Sequence, residues 1–325
     1  MEGTSQHAHA DEVDAAPAEV HVAVLAPSPH LTISLERNGH SDTDVHIHAA
    51  GQGFWAARIA RALDASVSIC APLGGEVGSA INGAFRQVGL RVHAVRTERE
   101  NSATVVDRRD DGEGEIASTG APLLTRHEVD ELFNPALAVG LDADVTILTG
   151  PQHSEVVTPD LYRRLAADLR ANGARVIADL SGEPLEAALQ GGLDLLKIAH
   201  DEAVSDGHAD DDSPDALAAA ARKLRLRGAD GVLLTRGGEP TLALFGDETW
   251  ELHPPTFEAV QHKGAGDTMC GAAAVALASA SEPERLCKLA VAAGALNVTR
   301  RGLGSGRREA IERVADHVEL RRRPC

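Results

Sequence analysis

Short apolar segments alternate with helical segments through the second half of this chain. The strand-like segments are VTILTG (145–150), RVIADL (175–180), LDLLKIA (193–199) and GVLLTRG (231–237). Helical stretches that open at Thr158-Pro159 and Ser213-Pro214 lie between them. Largely apolar strands joined by helices are typical of a parallel sheet covered on both faces. The sequence therefore predicts an α/β fold with a doubly wound, mostly parallel sheet flanked by helices.

Two regions interrupt this alternation. Segments within 31–49 and 91–119 alternate between apolar and polar residues, which is the period of strands exposed on one side. We expect these segments to form a small β-sheet lid over the carboxyl edge of the main sheet. Residues 1–20 are predicted to be a disordered acidic tail, 21–318 a single domain, and 319–325 a basic tail in solvent.

Composition limits the possible partners and location. A formal net charge of −18 argues against a general nucleic-acid or anionic-membrane binder, because both of those surfaces are negative. No stretch approaches the roughly 18 apolar residues of a membrane helix, and the first 20 residues lack the basic start and apolar centre of a signal peptide. The four cysteines have no C-x-x-C spacing, which favours reduced thiols. We expect a cytoplasmic protein with a small-molecule substrate.

A Gly-Ala-Gly-Asp turn precedes an alanine-rich helical run. Gly264, Ala265 and Gly266 let a ligand approach the backbone, and the first amides of a helix attract phosphate oxygens. A carboxylate cannot bind phosphate, but Asp267 could take a proton from an attacking hydroxyl. These residues predict an anion hole with a general base. The structural alternative is an ordinary turn in which Asp267 only caps the helix.

Other motifs are weaker. Gly51-Gln52-Gly53 with Ala56 fits the G-x-G-x-x-A dinucleotide fingerprint, but the preceding segment alternates and the next strand does not end in an acidic residue. A nicotinamide-dependent oxidoreductase is therefore a disfavoured alternative. His46 and His48 share a strand face, yet no third metal ligand is identifiable, which favours solvated or core-lining histidines. His200-Asp201-Glu202 follows a strand, where either a Mg²⁺ contact or a plain loop would fit.

The order of the motifs is more specific than any one of them. KGAGDTMCGAAAVALA (263–278) resembles the C-terminal motif of the ribokinase/PfkB family of carbohydrate kinases, most closely its 1-phosphofructokinase and tagatose-6-phosphate kinase branch. The other segments that resemble this family, in the same order, are GQGFWAARIARAL (51–63), APLGGEVG (71–78), TERENSATVV (97–106), LTGPQHSEVVTPDLYRRL (148–165), ADLSGEPLEAAL (178–189), LLKIAHDEA (195–203), LLTRGGEPTLAL (233–244) and AVAAGALNVTRRG (290–302). The resemblance covers about Val22 to Gly304 and implies a ribokinase-like fold.

The resemblance also implies an activity and a set of site residues. It implies an ATP-dependent phosphotransferase that uses Mg²⁺ and acts on a hydroxyl of a small sugar or sugar-phosphate-like acceptor, and a possible homodimer formed through the lid. Asp267 would be the catalytic base, with Gly264, Ala265 and Gly266 as the anion hole. The implied nucleotide-side residues are Thr235, Gly237, Lys197, Gly294 and Asn297; the acceptor-side residues are Gly51, Gln52, Gly53, Trp55, Thr32, Arg99 and Asn101; and the metal-side residue is Glu202.

Several positions depart from the family pattern. Gln52 replaces the lysine expected for a sugar phosphate, Trp55 replaces an asparagine, and the aspartate that grips sugar hydroxyls is replaced near Thr32. Ala199 replaces the asparagine of the N-x-x-E motif, and Gln261-His262 replaces the Asp-Thr before the glycine turn, which weakens the expectation of a monovalent-cation site. These departures imply a rebuilt acceptor pocket. They leave open a pseudokinase that binds a nucleotide or metabolite without turnover.

Overall fold

The computed structural model describes residues 19–38, 42–109, 114–260, 263–300 and 304–323. The strands are β1 (His21–Leu25), β2 (His30–Asn38), β3 (Asp42–Ala50), β4 (Ser66–Leu73), β5 (Arg91–Arg96), β6 (Ala103–Arg108), β7 (Gly114–Ser118), β8 (Val145–Thr149), β9 (Arg175–Asp179), β10 (Leu193–Ala199), β11 (Ala229–Arg236), β12 (Glu239–Phe245), β13 (Glu248–His253) and β14 (Glu319–Arg323). The helices are α1 (Gln52–Ala62), α2 (Gly75–Gln87), α3 (Arg126–Asp142), α4 (Asp160–Ala171), α5 (Gly182–Gly191), α6 (His200–Ser205), α7 (Pro214–Leu226), α8 (Ala265–Ala278), α9 (Pro283–Asn297) and α10 (Arg308–Ala315).

Ten strands form the main sheet in the order β14-β13-β12-β11-β10-β9-β8-β1-β4-β5. The seven strands from β11 to β5 run parallel, while β12, β13 and β14 pair antiparallel at one edge. The predicted α/β class with a mostly parallel sheet is confirmed.

Both faces of this sheet are covered by helices. Successive residues of a strand point to opposite faces, so Val22 and Val24 of β1 join the core under α1, α2, α8, α9 and α10. Ala23 and Leu25 join the second core under α3, α4, α5 and α7. Within the described residues, no helix is long and apolar enough to cross a membrane.

The order of the strands reverses beside β1. The chain first adds β4 and β5 on one side of β1, and later adds β8 to β11 on its other side. In such sheets the loops at the carboxyl ends diverge at the reversal and leave a crevice, where ligands bind. The fold therefore predicts a ligand site at the carboxyl ends of β1 and β8.

A second sheet of four strands, in the order β3-β2-β6-β7, stands apart from the main sheet. It contains β2, β3, β6 and β7, which were expected to form a small separate sheet. We keep the name lid for this sheet, and its role in covering a site stays a prediction. The assignment of 91–95 to the lid was wrong, because β5 pairs in parallel with β4 at the edge of the main sheet. An edge strand is half exposed, and its burial therefore alternates in the way that suggested a lid strand.

The predicted basic tail is a strand of the main sheet. β14 pairs with β13 along its whole length, and Arg323 bonds to Glu251 and, at 2.5 Å, to Asp215. A run of arginines on an edge strand discourages edge-to-edge aggregation, so its charge does not mean that it lies free in solvent. Residues 324–325, and residues 1–18 of the predicted acidic tail, lie outside the described part of the chain.

Deletion of residues 319–325 should lower the thermal stability and promote aggregation. The deletion removes β14, uncovers the backbone of β13 and leaves Glu251 without Arg323. We would measure the melting temperature by scanning fluorimetry and the particle size by light scattering. Arg322→Ala, which keeps the strand, is the control and should change stability by less than about 0.5 kcal/mol. A deletion variant that melts like the full chain would contradict a stabilising role for β14.

Candidate active site

A glycine turn (Gly264–Gly266) opens α8 at the carboxyl edge of the sheet. Gly264 has φ +74°, a left-handed conformation that glycine adopts without strain, and it caps α8. The backbone N–H and the hydroxyl of Thr268 donate to the Gly264 carbonyl at 3.0 and 2.6 Å. The turn is therefore fixed from inside the helix, and the first amides of α8 lack acceptors within the helix.

The glycine turn lies directly against a buried lysine. A Cβ at Gly266 would sit 2.5 Å from Lys197 Nζ, so a side chain there would require the lysine to move. Lys197 Nζ donates to Asp179 Oδ1 at 2.9 Å, and the two residues are only 6% and 2% exposed. Lys197 and Asp179 are register partners on β10 and β9. The sheet therefore places a buried ion pair under the turn.

Asp267 stands in the first turn of α8 and is 8% exposed. Burial, together with the nearby negative charge of Asp179, raises the pKa of Asp267 to about 7, while Lys197 acts in the opposite direction. Burial alone would lower the pKa of Lys197, but the carboxylates of Asp179, Glu202 and Asp267 raise it further. The cluster thus holds a permanently charged lysine beside a carboxyl group that titrates near neutral pH.

Glu202 completes this charged cluster from α6. One of its oxygens, Oε2, accepts a hydrogen bond from the Ala199 amide at 2.8 Å and caps the helix. Burial raises the pKa of Glu202; Lys197 opposes the shift and Asp179 adds to it. Thr235 is the register partner of Ala199 on the next strand, β11. Both positions therefore lie at the same sheet edge as the cluster.

Two residues of α9 support the glycine turn. A Cβ at Gly294 would lie 2.6 Å from Met269 Cγ and 3.3 Å from the Ala265 carbonyl, so α9 packs tightly on the start of α8. Asn297 is fully buried, and its Nδ2 donates to the Lys263 carbonyl at 2.9 Å. Its Oδ1 accepts from the Thr268 hydroxyl at 3.2 Å and from the Gly304 amide at 3.0 Å. The geometry of both residues suits positioning of the turn.

The opposite side of the crevice is built by the start of α1. Gly51, with φ +117°, caps the helix, and a Cβ on Gly53 would lie 2.6 Å from Ala26 Cβ at the end of β1. Gln52 Oε1 accepts a hydrogen bond from the Gly150 amide at 3.0 Å, directly after β8. These contacts place the Gly51–Gly53 segment at the reversal of strand order.

Trp55 follows in the first turns of α1, and Thr32 lies on the lid strand β2. A Cβ on Gly304 would approach the Trp55 carbonyl to 2.6 Å, so the two backbones are in close contact. Thr32 is buried on β2, where it pairs with His48 of β3 and Thr104 of β6. The lid therefore adjoins this side of the crevice through β2.

Comparisons with known proteins agree with this architecture. The family described as pfkB family carbohydrate kinase matches residues 26–310, well over half of the chain. The chain belongs to the pfkB family of carbohydrate kinases. It is similar to 1-phosphofructokinase of Xanthomonas campestris pv. campestris, with 29% identity over 306 residues that cover 90% of this chain and 94% of that protein.

A sequence and a solved structure from Escherichia coli extend the comparison. The ATP-dependent 6-phosphofructokinase isozyme 2 of strain K12 is 26% identical over 257 residues, which cover 78% of this pfkB family member and 82% of that protein. The crystal structure of the E. coli phosphofructokinase-2 in complex with potassium superposes with a TM-score of 0.81 at 21% identity, and covers 92% of this chain and 99% of that one. This likeness shows a shared fold.

The fold also accounts for the dinucleotide-like fingerprint. In this carbohydrate kinase family member, the Gly51–Ala56 motif follows β3, which is an antiparallel lid strand. The fingerprint needs a buried strand of a βαβ unit before the glycines. The structural context of dinucleotide binding is therefore missing at this motif.

Three expected site residues make no contact with the charged cluster among those that the described residues show. The Asn101 side chain accepts from the Gly74 amide at 2.8 Å and donates to the Pro29 and Pro72 carbonyls at 3.2 and 3.1 Å, so it ties three segments together. Arg99 is exposed and lies within electrostatic reach of Glu128 on α3. Gly237, with φ +60°, is exposed in the tight turn between β11 and β12. Gln261 and His262 lie outside the described residues.

Sequence reasoning missed two residues of this site. Asp179 ends β9, and its Oδ2 is buried without a hydrogen-bond partner in the described part of the chain. His30 begins β2, and its ring lies beside Gly51. The available signal for Asp179 was a charged residue at the carboxyl end of an apolar strand. His30 gave no such signal, because a single histidine after a proline is uninformative.

Asp267→Asn should stabilise the folded protein at neutral and alkaline pH. The pKa of Asp267 is raised from its usual 3.8 to about 7, so the folded state loses stability as the pH rises between these values. The side-chain amide of asparagine does not ionise, so the variant does not lose folding stability over this pH range. We expect equal melting temperatures at pH 4 and an increase of roughly 2 °C or more for the variant at pH 8.

The measurement is scanning fluorimetry of the full chain without ligand from pH 4 to pH 9. Asp201→Asn, which changes an exposed carboxylate on α6, is the matched control and should show no such trend. A difference between Asp267→Asn and the parent that stays constant with pH would contradict the raised pKa.

Proposed function

We propose that this protein transfers the γ-phosphoryl group of ATP to a hydroxyl of a sugar or sugar-phosphate acceptor. The acceptor oxygen forms a bond to the γ-phosphorus, the bond from this phosphorus to the bridging oxygen breaks, and ADP leaves. The hydroxyl proton passes to Asp267. Membership of a carbohydrate kinase family and similarity to proteins named phosphofructokinase support this class of reaction.

The observation that carries the proposal is the state of Asp267. A general base works best when its pKa lies near the operating pH. Asp267 has a pKa raised to about 7 and stands one residue after the glycine turn that would bind the phosphoryl group. An ordinary helix-capping aspartate would be exposed and acidic, so burial beside Lys197 and Asp179 favours the catalytic interpretation.

Charge stabilisation would come from the glycine turn and the lysine beneath it. Phosphoryl transfer depends mainly on positioning and on donors directed at the equatorial oxygens. The amides of Gly264, Ala265 and Gly266 supply such donors, and Lys197 adds a positive charge directly under the turn. Its ion pair with Asp179 keeps that charge fixed in place.

Magnesium fits the chemistry of the remaining oxygens. Mg²⁺ is usually bound by one or two carboxylates together with substrate phosphates and water, without a closed protein cage. Asp179 Oδ2 is buried without a partner among the described residues, and the helix-capping bond of Glu202 is made by Oε2. Asp179 and Glu202 would hold the ion. When bound, it would neutralise charge on the nucleotide phosphates.

The other nucleotide-side residues have different supporting roles. Thr235 and Gly237 flank the end of β11, where the phosphates of a nucleotide at the glycine turn would lie. Gly294 and Asn297 would act by positioning α9 and the glycine turn, since Asn297 already uses its amide in three hydrogen bonds. The adenine would then contact the α9 region mainly through backbone and apolar groups.

The acceptor would lie between the glycine turn and the Gly51–Gly53 segment. Gln52 supplies a neutral amide, and Trp55 adds bulk, where a lysine and an asparagine were expected. Thr32 borders this space from the lid. Asn101 would position the neighbouring loops, and Arg99 remains a candidate for an anionic group on the acceptor.

The lid offers a surface for a second copy of the chain. Val45, Ile47 and Ile116 project from β3 and β7 with exposed fractions of 58%, 63% and 57%. Three large apolar side chains exposed on one small sheet are unusual for an isolated surface. A homodimer formed through the lids would cover them.

A pseudokinase is the second candidate, and Gln52 favours it. Its amide oxygen is engaged with the Gly150 amide, whereas a phosphate-binding residue would be free to reach a ligand. Position 199 also carries alanine where the family pattern has asparagine, so a polar side chain is missing next to the charged cluster. Such a protein would bind a nucleotide or metabolite without turnover.

The deciding experiment measures ADP release by the full chain with Mg-ATP and a panel of sugars, sugar phosphates and nucleosides. Asp267→Asn should reduce kcat by about 100-fold or more on any active acceptor and leave ATP binding nearly unchanged, because a general base acts in the chemical step. Asp201→Asn is the control. Binding of ATP without turnover would favour the pseudokinase, and absence of ATP binding would overturn both candidates.

Gln52→Lys combined with Trp55→Asn should raise activity on hexose phosphates. The double change adds a cation for the phosphate and removes bulk beside the acceptor. The measurement is kcat/KM for hexose phosphates relative to unphosphorylated hexoses. No gain in that ratio would mean that other residues define the acceptor pocket.

A further inference from the structure

A cavity lies between the end of α7 and the turn that joins β12 to β13. Its volume is about 290 Å³. The residues that line it are Arg222, Arg225, Leu226, Leu244, Gly246 and Asp247. Pockets that bind small ligands begin at about this size, so the cavity is large enough for a small organic molecule.

The sheet separates this cavity from the candidate active site. Leu244 belongs to the core under α7, whereas α8, which carries Asp267, covers the opposite face. Phe245 pairs with Gly231 near the start of β11, and the charged cluster lies near Thr235 toward the end of that strand. A strand rises about 13 Å between Gly231 and Thr235. The cavity is therefore distinct from the crevice.

Two arginines give the cavity its positive charge. Arg222 and Arg225 are three residues apart on α7, so they share one face of the helix. Neither forms an ion pair with another described residue, and Nε of Arg225 is buried without a hydrogen-bond partner in that part of the chain. Arg227, two residues further on, bonds to Glu186. The two cavity arginines thus differ from their neighbour and can pair with an anion.

The opposite wall is a two-residue turn with a defined backbone. Gly246 and Asp247 connect β12 and β13, and Gly246 has φ +57°, which suits the first position of such a hairpin turn. A Cβ at Gly246 would meet nothing within 4 Å, so the space beside its backbone is open. The carboxylate of Asp247 repels anions, so the acid group of a ligand would lie on the α7 side.

Apolar surface accounts for the rest of the lining. Leu244 is buried, and Leu226 is 84% exposed, which leaves its side chain available for contact with a bound molecule. A bare inorganic ion would not use this surface. Guanidinium groups match the oxygens of phosphate and carboxylate and can bind them in a bidentate way. The lining as a whole therefore suits an acid group attached to an apolar body.

We propose that this cavity binds a small organic anion, whose phosphate or carboxylate group pairs with Arg222 and Arg225 and whose apolar body lies against Leu226 and Leu244. The cavity shares no residue with the crevice. The inference therefore stands or falls separately from the proposed phosphoryl transfer.

The test is calorimetric titration of the full chain with three probes: phenyl phosphate, phenylacetate and inorganic phosphate. We expect phenyl phosphate or phenylacetate to bind with a Kd below about 1 mM, and the better probe identifies the preferred acid group. Inorganic phosphate should bind more weakly, because it lacks an apolar body. Failure of both phenyl probes to bind at about 10 mM would overturn the inference.

Variants locate the binding. Arg222→Gln and Arg225→Gln should each weaken it roughly tenfold, as expected for the loss of one charge-assisted hydrogen bond. Lys223→Gln is the matched control, because it removes a positive charge from the same turn of α7 but does not line the cavity. It should change the Kd less than twofold. An equal loss in Lys223→Gln would indicate general electrostatic attraction and overturn the site.

Two further readings keep the test decisive. Binding of the probes in the crevice would survive both arginine substitutions, so a Kd unchanged in Arg222→Gln and Arg225→Gln would overturn the inference. Arg222 is exposed, and Arg222→Gln therefore serves alone if the melting temperature shows that Arg225→Gln does not fold. Leu226→Ala should weaken the phenyl probes and leave inorganic phosphate unchanged; equal effects on all three would contradict the apolar contact.

Discussion

The buried pair of Lys197 and Asp179 is the interaction on which the rest of the site depends. It joins the ends of β9 and β10 under the glycine turn, and the lysine occupies the space that a side chain at Gly266 would need. Removing one partner from such a pair leaves an uncompensated buried charge, at a cost of about 3–5 kcal/mol. The same lysine restrains the upward shift of the Asp267 pKa. One ion pair therefore sets both the shape and the electrostatics of the turn.

The cluster around this pair is costly for the fold. Three carboxyl groups, Asp179, Glu202 and Asp267, surround a single lysine, and Asp179 Oδ2 has no partner in the described residues. A core optimised only for stability would replace such groups by apolar ones. Local departures from good packing tend to mark functional sites. The uncompensated negative charge here is what a phosphate-bound Mg²⁺ would balance.

The sequence predicted local features well and long-range ones poorly. Apolar periodicity identified the parallel strands, and the glycine turn identified the start of α8, because both signals lie within a few residues. β5 and β14 were misassigned since an edge strand is half exposed and charged, like a lid or a tail. Asp179 joins the site only through its register with Lys197, and His30 only through the loop that brings β2 beside α1. Neither relationship is visible in a linear sequence.

The two sides of the crevice come from different parts of the fold. The side that carries Asp267 is built by β9, β10 and α8, whereas His30, Thr32 and Gln52 stand on β2 and α1. Gln52 reaches across the strand-order reversal only to the Gly150 backbone, so its replacement leaves the Lys197–Asp179 pair untouched. Apart from Ala199 and the residues before the turn, the family departures fall on this second side. In the proposed reaction, acceptor recognition could therefore change through residues of β2 and α1 while the side that carries Asp267 keeps its geometry.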